Sequence, residues 1–151
     1  MFEPKDILVP TDFSKYSDVA LEKAADIASQ YGSDKYLLHV MGMSEQVQQC
    51  AVDYCLSSEL VKQLEKETLK AVKDKMKKEA DAIVKSKKIK VVVDIKKGSP
   101  AEMILREEKA NKVDLIVIAS HGKTGILKQL MGSVADKVVK GAKCPVFVVK
   151  P

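Results

Sequence analysis

Val113-Asp114-Leu115-Ile116-Val117-Ile118-Ala119-Ser120-His121-Gly122 is the stretch on which the fold turns. From Val113 to Ala119 it is apolar except for Asp114 and rich in β-branched side chains, the pattern of a strand covered on both faces. Such strands belong to parallel sheets layered with helices, so helical segments are expected on either side of it. Downstream, Ser133 reads as the N-cap of a short helix through Val134, Val138 and Val139, Gly141 ends that helix, and Pro145 to Val149 forms a last strand. Upstream, Gly98-Ser99-Pro100-Ala101-Glu102 announces another helix. Ser99 is expected to cap it, Pro100 to take the first helical position, and Glu102 to reach back and complete a capping box. Ile89 to Ile95 is the strand before it.

Further out the same alternation continues. Leu56, Leu60, Val61, Leu64, Leu69, Val72, Met76, Ala80, Ile83 and Val84 mark one face of a long lysine-rich helix, preceded from Gly42 to Ser58 by an irregular polar insertion without an assignable conformation. Lys35 to Met41 is a strand. Ser14 caps a helix whose apolar positions Val19, Ala20, Ala24, Ile27, Ala28 and Tyr31 recur every three or four residues until Gly32 stops it. Ile7-Leu8-Val9 opens the series as a strand ended by Pro10. The order βαβαβαβαβ predicts an α/β fold, a single doubly wound five-stranded parallel sheet with helices on both faces. No internal repeat, low-complexity tract or Gly/Ser linker divides the chain, so one domain is expected over residues 1–151. Ligands of such sheets lie beyond the carboxyl ends of the strands, where strand order reverses.

Composition narrows the function. With 151 residues, 46% hydrophobic and 31% charged, the chain can build a core of its own. Its longest apolar stretches, Leu115 to Ala119 and Val146 to Val149, are far below the roughly 18 residues that span a bilayer. Met1 to Asp6 carries no basic leader or apolar h-region, and the three cysteines, Cys50, Cys55 and Cys144, are an odd number. A reduced, cytoplasmic setting is expected, with no membrane association. Cys50 and Cys55 lack zinc-knuckle spacing and have no histidine nearby. Of 26 basic residues all but Arg106 are lysine, and the net charge of +5 resides in Glu59 to Lys90, where eleven lysines face six acids. Without arginine forks or interleaved aromatics this segment reads as a solvated helix face, and no nucleic-acid partner is expected.

The loops after the strands carry the ligand chemistry. Pro10-Thr11-Asp12-Phe13-Ser14 contains no glycine, which excludes a dinucleotide fingerprint. Gly122-Lys123-Thr124 resembles the end of a Walker A loop, but the glycine needed five residues earlier is Val117, inside a strand. What remains is Ala119-Ser120-His121-Gly122, followed after nine residues by Gly132-Ser133. Gly122 lets backbone N–H groups approach an anion, while Gly132 and Ser133 offer N–H groups and a hydroxyl at the positive end of a helix. Taken singly, these residues also fit an ordinary turn and an ordinary cap. Asp12 is open to two readings as well, a cap for the following helix or an oxygen ligand to a ribose hydroxyl or a divalent ion.

Together these motifs resemble the universal stress protein family, in its ATP-binding branch. The resemblance runs through Ile7-Leu8-Val9-Pro10-Thr11-Asp12-Phe13-Ser14, Leu37-Leu38-His39-Val40, Gly98-Ser99-Pro100-Ala101, Asp114 to Ile118, Ser120 to Gly125, Gly132-Ser133-Val134-Ala135 and Cys144-Pro145-Val146. The branch motif G-x-x-G-x9-G-[S/T] is met here with Ala119 in place of its first glycine. The resemblance implies an adenine nucleotide alpha hydrolase-like fold and an ATP site that takes in Pro10, Thr11, Asp12, Val40, Ala119, His121, Gly122, Gly132, Ser133 and Val134. Asp12 would face the ribose or a phosphate-bound Mg²⁺ or Mn²⁺, the Val40 backbone the adenine edge, and Gly122, Gly132, Ser133 and Val134 the phosphates. It further implies a homodimer paired through Pro145 to Val149, which as an apolar edge strand would otherwise expose unpaired backbone. The expected role is that of a nucleotide-dependent stress-response switch or interaction module. The alternatives are a nucleotide-free scaffold of the same family and a slow ATP hydrolase. No catalytic residue is assigned, because no arginine finger, acidic metal pair or activated nucleophile can be named. Of the two histidines, His39 is expected to pack and His121 to face the ligand.

Overall fold

Ile7 and Val9 turn to one face of the first strand and Leu8 to the other, and none of the three is more than 2% exposed. Covered on both sides, this strand, β1 (Asp6–Thr11), is the middle of the sheet in the computed structural model, which describes residues 1–41, 57–122 and 131–150. Along the chain follow α1 (Lys15–Tyr31), β2 (Asp34–Met41), α2 (Ser58–Lys87), β3 (Val91–Lys97), α3 (Pro100–Ala110), β4 (Leu115–Ala119), α4 (Ser133–Gly141) and β5 (Val146–Val149). The five strands are parallel and lie in the order β3-β2-β1-β4-β5. Helices α1 and α2 cover one face through Ala20, Ala24, Ala28 and Met76, and α3 and α4 the other through Ala101, Ile104, Ala135 and Val138. This is the doubly wound α/β arrangement that the sequence predicts. The described part of the Gly42 to Ser58 insertion is only its end, where the Ser57 hydroxyl accepts from the Leu60 N–H and caps α2.

Helix α1 is bounded as expected, by the Ser14 hydroxyl accepting from the Ser17 N–H at 3.2 Å and by Gly32 at φ +66°. Other boundaries differ from the sequence reading. Ser99 makes no side-chain cap bond, so the capping box with Glu102 does not form; both residues are exposed, which leaves the free N–H groups there open to solvent. Gly132, not Ser133, is the N-cap of α4, because the Gly132 N–H is drawn to the Ser120 carbonyl at 2.6 Å and holds that residue extended, outside the helix. Gly141 is the last residue of α4 and Ala142 closes it. Pro10 does not end β1. The strand runs on to Thr11, paired with His39 of β2, whereas its pairing with β4 stops at Leu8 and Ile116.

The long helix also departs from its expected single apolar face. Only Met76 and Ala80 are buried, while Leu60, Leu64 and Val84 remain 41, 39 and 41% exposed. The reason is length: 30 residues of helix extend ~45 Å, about twice the span of a 7-residue strand such as β3. The Lys97–Glu65 ion pair, 3.5 Å, marks where α2 passes the end of β3. The turns before it overhang the carboxyl edge of the sheet.

Candidate functional site

Strand order reverses between β1 and β4, and the two strands share only the pairs Ile7–Leu115 and Leu8–Ile116 before they part. Between β1 and β2, by contrast, pairing continues from Asp6–Asp34 to Thr11–His39. The parting of β1 and β4 opens a cleft of about 330 Å³ at the carboxyl end of the sheet, within the size range of small-ligand sites. Pro10, Thr11, Asp12, Val40, Ala119, His121, Gly122, Gly132, Ser133 and Val134 all line it. The structure therefore brings together every site residue expected from the sequence.

Each wall has its own local cause. After β1 the chain turns sharply. The Thr11 hydroxyl accepts from the Phe13 N–H at 3.1 Å, the Asp12 carboxylate accepts from the Ser14 N–H at 3.0 Å, and Phe13 sits at φ +62°. For a bulky aromatic residue that left-handed conformation costs on the order of 1 kcal/mol or more. The ring is held by its surroundings: it stacks on His39 with centroids 4.5 Å apart, and the Lys75 ammonium of α2 lies 5.1 Å from its centroid. His39 donates from Nδ1 to the Thr11 carbonyl at 2.7 Å and packs against the Phe13 ring.

Across the cleft, Gly122 meets this turn directly. A Cβ built on Gly122 would lie 2.6 Å from Oδ2 of Asp12, so a side chain there fits only if the carboxylate moves. A Cβ on Gly132 would lie 3.1 Å from the Ser120 carbonyl oxygen, which ties the start of α4 to the end of β4. The first bond inside α4 runs from the Asp136 N–H to Gly132, leaving the N–H groups of Ser133, Val134 and Ala135 without a backbone partner among the described residues. These three are the donors that the positive end of α4 presents to the cleft. Gly132 is thus not a donor to a ligand. Its own N–H is committed to Ser120, and its contribution is the space it leaves.

Ala119 lines the cleft. Its methyl belongs to the cluster on the α1 face, whereas the floor is built from Leu38, Ile104, Ile118 and Ala135 of the opposite cluster. His121 lines the cleft and shares a 2.8 Å hydrogen bond between Nδ1 and the Ser120 hydroxyl. Among the described cleft residues Asp12 is the only carboxylate, and none is lysine or arginine. The sequence reading missed Ser17, Leu38, Pro100, Ile104, Ile118, Ser120 and Ala135, which complete the wall. Their signal was present only as strand alternation and helix spacing, which mark core and cleft floor alike.

Among the described residues Cys144 is the only cysteine, and its thiol is not activated. Burial, and secondarily Glu108, pushes the Cys144 thiol up to about 12, which keeps it protonated at neutral pH. Glu108 instead accepts from the N–H groups of Lys143 and Cys144, at 2.7 and 2.8 Å, and fixes the turn between α4 and β5. Among the described residues no group of three or more metal-ligating side chains converges, and no helix is long and apolar enough to cross a membrane.

Comparison with known proteins agrees with the geometry. The model of the universal stress protein family matches residues 3–150. A universal stress protein of Methanocaldococcus jannaschii is 39% identical over 147 residues, covering 97% of this chain and 82% of its own length. A second protein of that organism, also named a universal stress protein, is 31% identical across 97% of this chain and 94% of its own length. Its solved structure superimposes with a TM-score of 0.84 over 99% of this chain and 98% of that one. A universal stress protein of Archaeoglobus fulgidus, solved in complex with dAMP, shares the fold at 19% identity, with a TM-score of 0.68 over 99% of this chain and all of its own. The chain belongs to the universal stress protein family.

Proposed function

We propose that the chain binds an adenine nucleotide, ATP in the first place, in the cleft between β1 and β4, and serves as a nucleotide-dependent switch or interaction module in the stress response. One observation carries the reading: the free N–H groups of Ser133, Val134 and Ala135, the Asp12 carboxylate and the glycine gap at Gly122 line a single cleft with an apolar floor. Helix N-termini of this kind attract phosphates, and apolar floors accept a base. Two structures of the same fold support the ligand class, since one is a complex with cAMP and the other with dAMP.

In this reading Leu38, Ile104 and Val40 hold the base, with the Val40 backbone at the adenine edge. Ser133, Val134 and the Gly122 main chain hold phosphate oxygens, with Gly132 giving them room. Asp12 faces the ribose or shares a Mg²⁺ or Mn²⁺ with the phosphates. A single carboxylate supplies a hard oxygen ligand yet only part of a coordination shell, so the donor set fits a cation that arrives with the nucleotide. Thr11, Pro10, Ala119 and His121 complete the wall. No catalytic residue is assigned among the described ones, and turnover is expected to be slow. The chain acts in the cytoplasm as a homodimer joined along β5, the edge strand on which Phe147 is 46% exposed.

The test is native mass spectrometry of freshly purified protein, followed by calorimetric titration with ATP and Mg²⁺. Retained nucleotide or saturable heat is expected. A silent titration of nucleotide-free protein would replace this reading with that of a scaffold acting by protein contacts.

A further inference from the structure

We infer that Phe13 is a positioning residue: its ring, gripped between His39 of β2 and Lys75 of α2, fixes the Asp12 carboxylate against Gly122 and makes the long helix α2 a part of the ligand site. The inference rests on the reading of the cleft as a nucleotide site.

A bulky side chain in the left-handed region relaxes to negative φ unless its surroundings prevent it. Here three contacts do so. The Thr11 hydroxyl receives the Phe13 N–H, the imidazole of His39 lies against one part of the ring, and the Lys75 ammonium lies within cation–π range of the ring. Asp12 and Ser14 are the residues on either side of Phe13, joined by the Asx turn in which the Asp12 carboxylate accepts from the Ser14 N–H. Rotation of the Phe13 backbone would pull that turn apart and swing the carboxylate away from Gly122, beside which Oδ2 now occupies the space a side chain would take. Lys75 reaches Phe13 from α2, the helix that buries only Met76 and Ala80. The site thus depends on a helix that supplies none of the described lining of the cleft. Changes in the seating of α2 thereby reach the nucleotide through the Phe13 ring.

Four variants test this: Phe13→Leu, Phe13→Tyr, Lys75→Met and Lys75→Arg, each alone and in an Asp12→Ala background. Affinity for ATP with Mg²⁺ is measured by calorimetry, and the amide resonances of Ser14 and Gly122 are followed by NMR without ligand. Phe13→Leu is expected to weaken ATP about fivefold and Lys75→Met about threefold, with Phe13→Tyr and Lys75→Arg close to the parent. In the Asp12→Ala background both losses should shrink below about twofold, because the group being positioned is gone. Lys75→Met should also shift the Ser14 and Gly122 amides, although it alters no described residue of the cleft. Equal losses with and without Asp12, or amides unmoved in Lys75→Met, would overturn the inference. A parent protein that binds no nucleotide defeats the proposed function instead, and the ligand-free amide shifts still decide whether Phe13 and Lys75 position Asp12.

Discussion

Replacing Gly122 with alanine tests the architecture of the cleft at its narrowest point. The new methyl would lie 2.6 Å from Oδ2 of Asp12, and ordinary contact begins at 3.4 Å, so the carboxylate must retreat by about 0.8 Å. Gly122 is not among the residues with positive φ, so the alanine brings a contact and no backbone strain. The retreat loosens the 3.0 Å bond from the Ser14 N–H to Oδ1, and a hydrogen bond of that kind is worth about 1 kcal/mol. For a domain of this size that is a fall in Tm of about 2–4 °C. A displaced Asp12 should also cost about 1.4 kcal/mol in ATP binding, a tenfold loss in affinity. Differential scanning calorimetry and calorimetric titration read the two effects. The decisive comparison is the Asp12→Ala, Gly122→Ala double variant. Without Oδ2 the methyl has nothing to strike, so Gly122→Ala should lower neither Tm nor affinity in that background. The same fall in Tm with and without Asp12 would show that the methyl is crowded by something else, and the reasoning would fail.

Two further outcomes follow from groups outside the cleft. Burial, then the Asp18 charge, raises Glu79 to about 7 against the opposing pull of Lys75, and its Oε2 is buried without a hydrogen-bond partner among the described residues. Because the folded state binds this proton more tightly than the unfolded one, the stabilisation is full below about 4.5 and lost as pH rises through 7. Discounted for a half-exposed group the effect is about 1 kcal/mol, so Glu79→Gln should raise Tm by about 2–4 °C at pH 8 and leave it unchanged at pH 4; an equal gain at both pH values would reject the assignment. On β5, Phe147→Asp places a charge on the proposed dimer edge and should yield a monomer in sedimentation velocity runs, and a dimer that persists would locate the interface elsewhere.

The legible parts of this protein are those in which one physical requirement dictates residue type. Covered strands demanded runs such as Leu115 to Ala119, and a helix stop at φ +66° called for Gly32. Gly122 and Gly132 were legible as gaps for close approach, but not what approaches: Asp12 in one case, the Ser120 carbonyl in the other. Local pattern cannot convey such long-range contacts. The same limit explains the error at Ser133, a good capping residue displaced by one position because a tertiary hydrogen bond holds Gly132 extended. Pro10 misled for a related reason. A proline ends a strand where its N–H is needed, and here the flank toward β4 has already parted. On α2 the apolar spacing was real, but spacing does not report how far a helix outruns its sheet.

Under the proposed function, the placement of the cleft gives ligand occupancy a route by which to act as a signal. At the amino half of the sheet, β1 and β4 are locked by paired backbone and by the alanines of α1, which pack with Ile7, Leu115 and Val117 in one cluster. At the carboxyl half that pairing is gone, and the two sides meet through the contact of Asp12 with Gly122. A ligand held by Asp12 on one side and by the start of α4 on the other would bridge the parted strands. It would stabilise the folded, ligand-binding structure by about 2.7 kcal/mol at a concentration one hundred times its dissociation constant. That gain acts on the turn around Phe13, which is already braced by β2 and α2. By reciprocity, whatever α2 gains in order when the cleft fills, a partner that binds and orders α2 must return to the cleft as affinity.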